Sequence, residues 1–233
     1  MTRNPQIDLA ERYVNETGIS LFLTGKAGTG KTTFLRHIDA HCHKRHVVVA
    51  PTGVAAVNAG GVTIHSFFQL PFCPYLPDIP ELVTEYQMPE QQRQLRKSKI
   101  DIIRTLDLLI IDEISMVRAD LLDAIDATLR RYRRNSRPFG GVQLLLIGDV
   151  QQLAPVVTEE ERPFMERVYP SPFFFHSKAL QRLHYITIQL TTIYRQQDST
   201  FVQLLNNIRD NHFDEATLAA LNSRVNSRPK GDT

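Results

Sequence analysis

Apolar residues gather in five runs of strand length: "SLFLTG" at 20–25, "HVVVAP" at 46–51, "LDLLIID" at 106–112, "VQLLLIGD" at 142–149 and "YITIQLT" at 185–191. They read as continuous rather than alternating runs, the pattern of parallel strands covered by helices on both faces. Between them, residues 31–43 and "RADLLDAIDATLRRYRR" at 118–134 repeat apolar positions at helical spacing. Strands and helices therefore alternate, which predicts an α/β three-layer domain, α/β/α, around a mostly parallel sheet. Residues 70–90 carry five of the 13 prolines and predict an irregular excursion over the surface. Residues 199–233 read as two amphipathic helices followed by a polar tail, and no internal repeat is visible.

Composition narrows this picture. A chain of 233 residues, 42% hydrophobic, can bury a sizeable core as one large domain or at most two. The 27 basic and 25 acidic residues leave a net charge of +2, so any nucleic-acid partner must be argued from local clusters. Two cysteines, Cys42 and Cys73, make no disulfide framework and no Cys-x-x-Cys pair, which favours a reducing, intracellular setting. The start "MTRNPQIDLAERYV" lacks a signal peptide's apolar core, and no run approaches membrane-spanning length. A soluble protein is expected, in the cytoplasm or nucleoid if the source is bacterial, with no membrane partner.

The first chemistry lies in "GKAGTGKT", Gly25 to Thr32, which matches the phosphate-binding pattern G-x-x-x-x-G-K-[ST] between a strand and a helix. Glycines there turn backbone N–H groups inward around phosphate oxygens at a helix start. The expected nucleotide contacts are Gly25, Ala27, Gly28, Thr29, Gly30, Lys31, Thr32 and Thr33, with Lys31 on the β and γ phosphates and the Thr32 hydroxyl on Mg²⁺. "LLIIDE" ends a strand in Asp112 and Glu113. Asp112 would hold the metal and Glu113 would polarise the attacking water; the competing reading is a pair of acids favouring the start of the next helix. "QLLLIGDVQQLAPV" places Gln152 beyond a third strand end, as a contact to γ-phosphate or water or else as a solvated turn. "QLTTIYRQ" adds Arg195, suited to phosphate charge or to a surface salt bridge.

Together these segments resemble superfamily 1 DNA helicases, specifically the petite-integration-frequency (PIF) family of 5′-to-3′ helicases related to RecD. "GKAGTGKT" is similar to motif I, "APTGVAAVNAGGVTIHSFF" to motif Ia and its extension, "LLIIDEISMV" to motif II, "LLLIGDVQQLAPV" to motif III and "LTTIYRQ" to motif IV. "LLDAIDATLRRYRRNSRPFGGVQ" at 121–143, with its "PFGG", resembles the family's signature segment. The resemblance implies a RecA-like P-loop NTPase domain over residues 1–197, and over 198–233 a helical segment leading toward the small 1B subdomain. It implies ATP and Mg²⁺ as cofactors, with Lys31, Glu113, Gln152 and Arg195 as catalytic residues and Thr32 and Asp112 on the metal. It further implies a monomer acting on single-stranded DNA and DNA junctions in repair, recombination and telomere maintenance, with G-quadruplexes and RNA–DNA hybrids as substrates.

Motif Ia contacts single-stranded DNA in the family, which puts Pro51, Thr52, Gly53 and Val54 on the strand and His65 and Phe67 beside it. Small residues let phosphates approach, and aromatic rings offer a base a stacking face. Two departures stand out: Ala154-Pro155 replaces the usual two prolines after motif III, and nothing after residue 200 resembles motifs V and VI of the second RecA-like domain. The chain is thus expected to be cut short, with weak ATP binding and little unwinding of its own. A loader or signalling P-loop ATPase without a DNA track, and a nucleotide-switched interaction module, remain the rival classes. Arginines 130, 131, 133, 134 and 137, and the cluster Arg93, Arg96, Lys97 and Lys99, read as solvated faces or as phosphate contacts. The histidines of "RHIDAHCHKRH" read as a solvated helix end, with no structural metal assigned.

Overall fold

A computed structural model of the chain describes residues 4–77, 79, 95–194, 203–204, 206–208, 211–212 and 214–223. Six strands, β1 (Ser20–Gly25), β2 (His46–Ala50), β3 (Val62–Thr63), β4 (Leu108–Ile111), β5 (Gln143–Gly148) and β6 (Tyr185–Leu190), form one sheet in the order β3-β2-β4-β5-β1-β6. Every pairing is parallel. All six carboxyl ends therefore open on one edge, where open α/β sheets bind ligands.

The period of two along each strand divides the apolar residues between two cores. Phe22, Leu109, Ile111, Leu144 and Leu146 face one side, where Ile64, Phe68, Ile103, Leu122, Ile125 and Leu129 pack against them. Leu21, Leu23, Leu108, Ile110, Leu145 and Ile147 face the other, against Ala10, Val14, Phe34, Leu35 and Ile38. The first layer is built from helices α4 (Ile64–Phe68), α5 (Lys97–Thr105) and α6 (Ala119–Arg133). The second is built from α1 (Pro5–Glu16) and α2 (Lys31–His41). The expected three layers are present. β4 and β5 are buried at every position, as their unbroken apolar runs require. β6 departs from that expectation. It is an edge strand in which Ile188 and Leu190 are buried while Thr187 and Gln189 face water, so its run alternates.

The segment before β1 folds as α1, with Asn4 accepting from Gln6 N–H (3.0 Å) at its cap and Pro5 in its first turn. Lys44 secures its far end: Nζ donates to Val14 O and Thr17 O (both 2.5 Å) and to Gln143 Oε1 (2.6 Å). The proline-rich excursion returns to the body. Leu76 and Ile79 are buried, and Tyr75 N–H donates to Asp120 Oδ2 (2.9 Å). The chain divides into two compact units, residues 1–191 and 192–233. In the second, the helix Glu215–Asn222 is capped by Asp214, whose carboxylate accepts from Thr217 N–H (2.7 Å). No described helix is long and apolar enough to cross a membrane.

Candidate functional site

The glycine-rich loop lies between β1 and α2, and packing explains its composition. A side chain on Gly25 would sit 2.7 Å from both Leu190 O and Thr29 Oγ1, and Gly28 and Gly30 hold φ of 79° and 94°. Thr29 is buried and its hydroxyl donates to Lys26 O (2.8 Å), closing the loop on itself. Lys31 Nζ donates to Gly25 O (2.6 Å) and Lys26 O (3.1 Å), so the ammonium is held inside the turn. Ala27, Thr32 and Thr33 are exposed, the two threonines on the first turn of α2.

Asp112 follows β4, one strand beyond β5 from the loop, and its N–H donates to Val49 O (2.9 Å). Burial pushes its carboxyl up to about 6; the Glu113 carboxylate adds to this, while the Glu113 N–H and the charge of Lys31 oppose it. Lys31 and Asp112 thus feel one another's charge. Glu113 stands in the left-handed region, φ 50°, a conformation that costs about 1 kcal/mol or more for a residue with a side chain. That turn carries the chain into the single 3-10 turn Ile114–Met116, which packs against Gly148, where a side chain would meet Ile114 at 2.9 Å. A half-buried acid next to a second acid after β4, and an exposed threonine hydroxyl at the start of α2, are oxygen donors of the kind a hard divalent cation takes.

After β5, Asp149 is buried and accepts from Gln151 N–H (3.2 Å) and Gln152 Nε2 (3.1 Å). Gln152 is exposed beyond the same sheet edge, with its side-chain amide held by that carboxylate. Asp149 was readable as the acid of "GD" but had no role from the sequence alone. Arg195 lies outside the described residues; its strand ends with Leu190 paired to Gly25.

Pro51 and Thr52 leave the end of β2. Thr52 caps helix α3 (Gly53–Ala59) by accepting from Ala55 N–H (3.2 Å), Gly53 has open space where a side chain would stand, and Val54 is exposed. His65 stacks on Phe72 with ring centroids 4.5 Å apart and planes 16° from parallel. Burial, and then the charge of Arg118, lowers its pKa, with Asp120 opposing, so its neutral form is favoured. Phe67 is a correction. It is 6% exposed in the core with Phe68 edge-on at 4.8 Å, and its ring has no free face for a base. The exposed ring in this region is Phe72, 89% accessible, which lies in the stretch expected to be mere surface loop. Beneath it Arg118 grips both Asp120 oxygens (2.8 and 2.7 Å) and Glu161 (2.9 Å), joining the stretches after β4 and β5.

The basic clusters divide. Arg133 donates to four carbonyls, those of Gly140, Ile103, Leu106 and Arg104 (2.8, 2.8, 2.8 and 3.2 Å), and Arg130 pairs with Asp126 (2.8 Å). Arg131, Arg134 and Arg137 are exposed; Arg93 lies outside the described residues, and Lys99 donates to Ser66 O. His37 meets Glu11 (3.0 Å) and stacks on His41.

Comparison with known proteins matches residues 6–219 to the family model described as PIF1-like helicase. The chain is 35% identical over 210 residues to the ATP-dependent DNA helicase PIF1 of Saccharomyces cerevisiae, covering 87% of this chain and 22% of that protein. It is 38% identical over 198 residues to the human ATP-dependent DNA helicase PIF1, covering 82% and 27%. The crystal structure of a Bacteroides Pif1 helicase in complex with ADP-AlF3 and single-stranded DNA superposes with a TM-score of 0.89 at 38% identity, covering all of this chain and 52% of that one. A structure of two coordinating Pif1 helicases at forked double-stranded DNA gives 0.88 at 39%, covering 98% and 53%. The chain spans about a quarter of the length of these curated relatives and about half of the crystallised chains.

Proposed function

Because this chain belongs to the PIF1-like helicase family, we propose that it is the ATP-hydrolysing part of a DNA helicase that moves 5′ to 3′ along single-stranded DNA and separates the duplex ahead. What supports this reading is that the glycine-rich loop, Asp112, Gln152 and the exposed 52–54 stretch all follow strands that end on one sheet edge. Lys31 and Asp112 interact electrostatically there, Gln152 is held by Asp149, and Pro51 and Thr52 leave the neighbouring β2. Residues 1–191 form the compact unit bearing these groups, and we assign the motor to it.

In this mechanism the loop N–H groups and Lys31 bind the triphosphate and counter the charge that moves toward the leaving oxygen. Glu113 takes a proton from the attacking water, its carboxylate set by the strained turn that follows β4. Gln152 contacts the γ-phosphate or that water and so distinguishes the triphosphate from the product. The resemblance of "LTTIYRQ" to motif IV assigns Arg195 to phosphate charge. Mg²⁺, held by Thr32 and Asp112, would supply charge neutralisation at the phosphates. His65 and the 51–54 stretch contact the DNA strand, and the protein acts as a monomer inside the cell.

ATP turnover of the full-length protein, measured with and without oligothymidylate, tests the reading: stimulation by the single strand is expected. Turnover indifferent to DNA would favour a loader or signalling ATPase. A Glu113→Gln variant that hydrolyses ATP as fast as wild type would remove Glu113 as the base.

A further inference from the structure

A cavity of about 460 Å³ opens between the end of β2, the 68–76 stretch and the exposed flank of α6, within the size range of small-ligand sites. Its wall is mostly apolar and aromatic, with Phe68, Phe72, Tyr75, Leu121, Ala124 and Tyr132 prominent. Nothing in the nucleotide chemistry uses it. Three features point to its occupant. The cavity wall includes Pro51, Thr52 and His65, the same residues that form the candidate DNA track, so a strand on that track passes its mouth. His65 and Phe72 lie face to face, and Phe72 is almost fully exposed, which leaves its second face open to another flat ring. Polar capacity remains in the wall: the Gln69 side-chain oxygen accepts from Arg96 N–H (3.1 Å) while its NH₂ is a donor, and the Thr128 hydroxyl donates to Ala124 O (2.8 Å) and keeps its acceptor lone pairs.

We propose that this cavity takes one nucleobase of the tracked single strand, stacked against Phe72 with His65 behind it. The inference rests on the helicase reading above and deepens it, because it converts part of the track from backbone contact to base contact. An aliphatic side chain would fill the same volume but gain nothing from two parallel rings. A base gains the stack and can bond at its edge. The Arg118 grip on Asp120 and Glu161 forms the rigid floor, and Tyr75 N–H on the same Asp120 fixes the 68–76 wall to it. The wall is thus built before a strand arrives.

The test is photo-crosslinking of the full-length protein to oligothymidylate carrying 5-iodo-2′-deoxyuridine at each position in turn, with the attachment residue mapped by mass spectrometry, beside affinity by fluorescence anisotropy. Crosslinks on Phe72 or Tyr75 are expected. Phe72→Leu, and Ala127→Leu, which narrows the cavity, should each weaken binding about tenfold, within the range of one lost base stack. Phe72→Trp should restore both affinity and crosslink, and thermal midpoints should match wild type. Crosslinks confined to residues outside this wall, or wild-type affinity in both leucine variants, would overturn the inference while leaving the helicase reading standing. A wild type that does not associate with the strand at all would remove the helicase reading and this inference together.

Discussion

The carboxyl edge of the sheet and the knot at the far end of α6 are made of the same materials and use them in opposite ways. Both combine positive-φ residues, buried carboxylates and basic side chains. At the knot the buried ones are committed to partners within the fold. Asp126 accepts from Arg130 and from Phe139 N–H (2.6 Å), and Arg133 spreads over four carbonyls. Asp123 on the same helix takes four donors, from Tyr169, Ser177, Lys178 and Ala179. At the carboxyl edge Thr32, Thr33 and Gln152 face water, Asp112 is half-buried against its preference for charge, and the Ser115 hydroxyl is buried with no partner among the described residues. A saturated polar group stabilises the fold; an under-committed one, placed where the backbone is already strained, is set aside for a ligand.

The sharpest way to break this comparison is to substitute at both ends and ask which property moves. Lys31→Ala should cut ATP turnover of the full-length protein at least about a hundredfold, the scale of a lost charge at the phosphates. Its urea midpoint should stay near wild type. Glu113→Gln should lower turnover by a similar factor, about 10² or more for a missing base, while nucleotide binding by calorimetry persists.

At the knot the expectation inverts. Gly140 holds φ 60°, and a side chain there would sit 2.9 Å from the backbone oxygen of Leu129. Gly140→Ala should cost about 2–4 kcal/mol from the left-handed backbone and the crowding combined, read from chemical denaturation. ATP turnover per folded molecule should be unchanged. A loss of turnover at constant stability would show that the knot communicates with the nucleotide.

The two regions were also unequally readable in the sequence. The loop and the Asp112-Glu113 pair were visible because phosphate chemistry restricts residue types at short, fixed spacing, and strand runs such as 144–147 were visible because double-sided burial favours unbroken apolar residues. "PFGG" stood out as a string. What it does, turning through Phe139, Gly140 and Gly141 at positive φ so that Arg133 can reach the Gly140 carbonyl while it also holds those of Ile103 and Leu106, depends on contacts the string itself does not show. The arginine cluster was unreadable for the same reason: five similar side chains in one stretch differ only in what lies opposite them. Phe67 and Phe72 show the limit most clearly. The pattern "IHSFFQLPF" contains three phenylalanines, and only the packing of α4 decides that the first two are core and the last is exposed.

Asp149 sharpens the comparison from within the carboxyl edge, since it is the one buried acid there that holds a proposed phosphate sensor directly. Asp149→Asn keeps the shape and one acceptor oxygen for Gln151 N–H but sets an amide NH₂ opposite the Gln152 NH₂, so the hydrogen bond that holds the Gln152 amide is lost. Turnover should fall about five- to tenfold through misplacement of Gln152, an effect of about 1 kcal/mol expected from losing one hydrogen bond. A positioning role makes a further demand: in a Gln152→Ala background the Asp149→Asn change should add almost nothing, because coupled residues are not additive.

The smallest effect belongs to the exposed arginines beyond α6. Arg130 and Arg133 are spent on the fold and Arg131 lines the cavity beside the track, so Arg134 and Arg137 remain to answer to phosphates, and they stand beyond the helix's carboxyl end while the track opens at the carboxyl edge of the strands. α6 follows β4 and runs back along the sheet, and Arg134 and Arg137, past its last residue, are not in the cavity wall. Arg134→Glu with Arg137→Glu should therefore change affinity for oligothymidylate less than twofold at moderate salt, and leave the slope of log affinity against log salt unchanged, since each lost phosphate contact would lower that slope by about 0.7 for a single strand. A slope reduced by one contact or more would place DNA on the far edge as well, and the division between a committed end and a receptive end of this domain would fail.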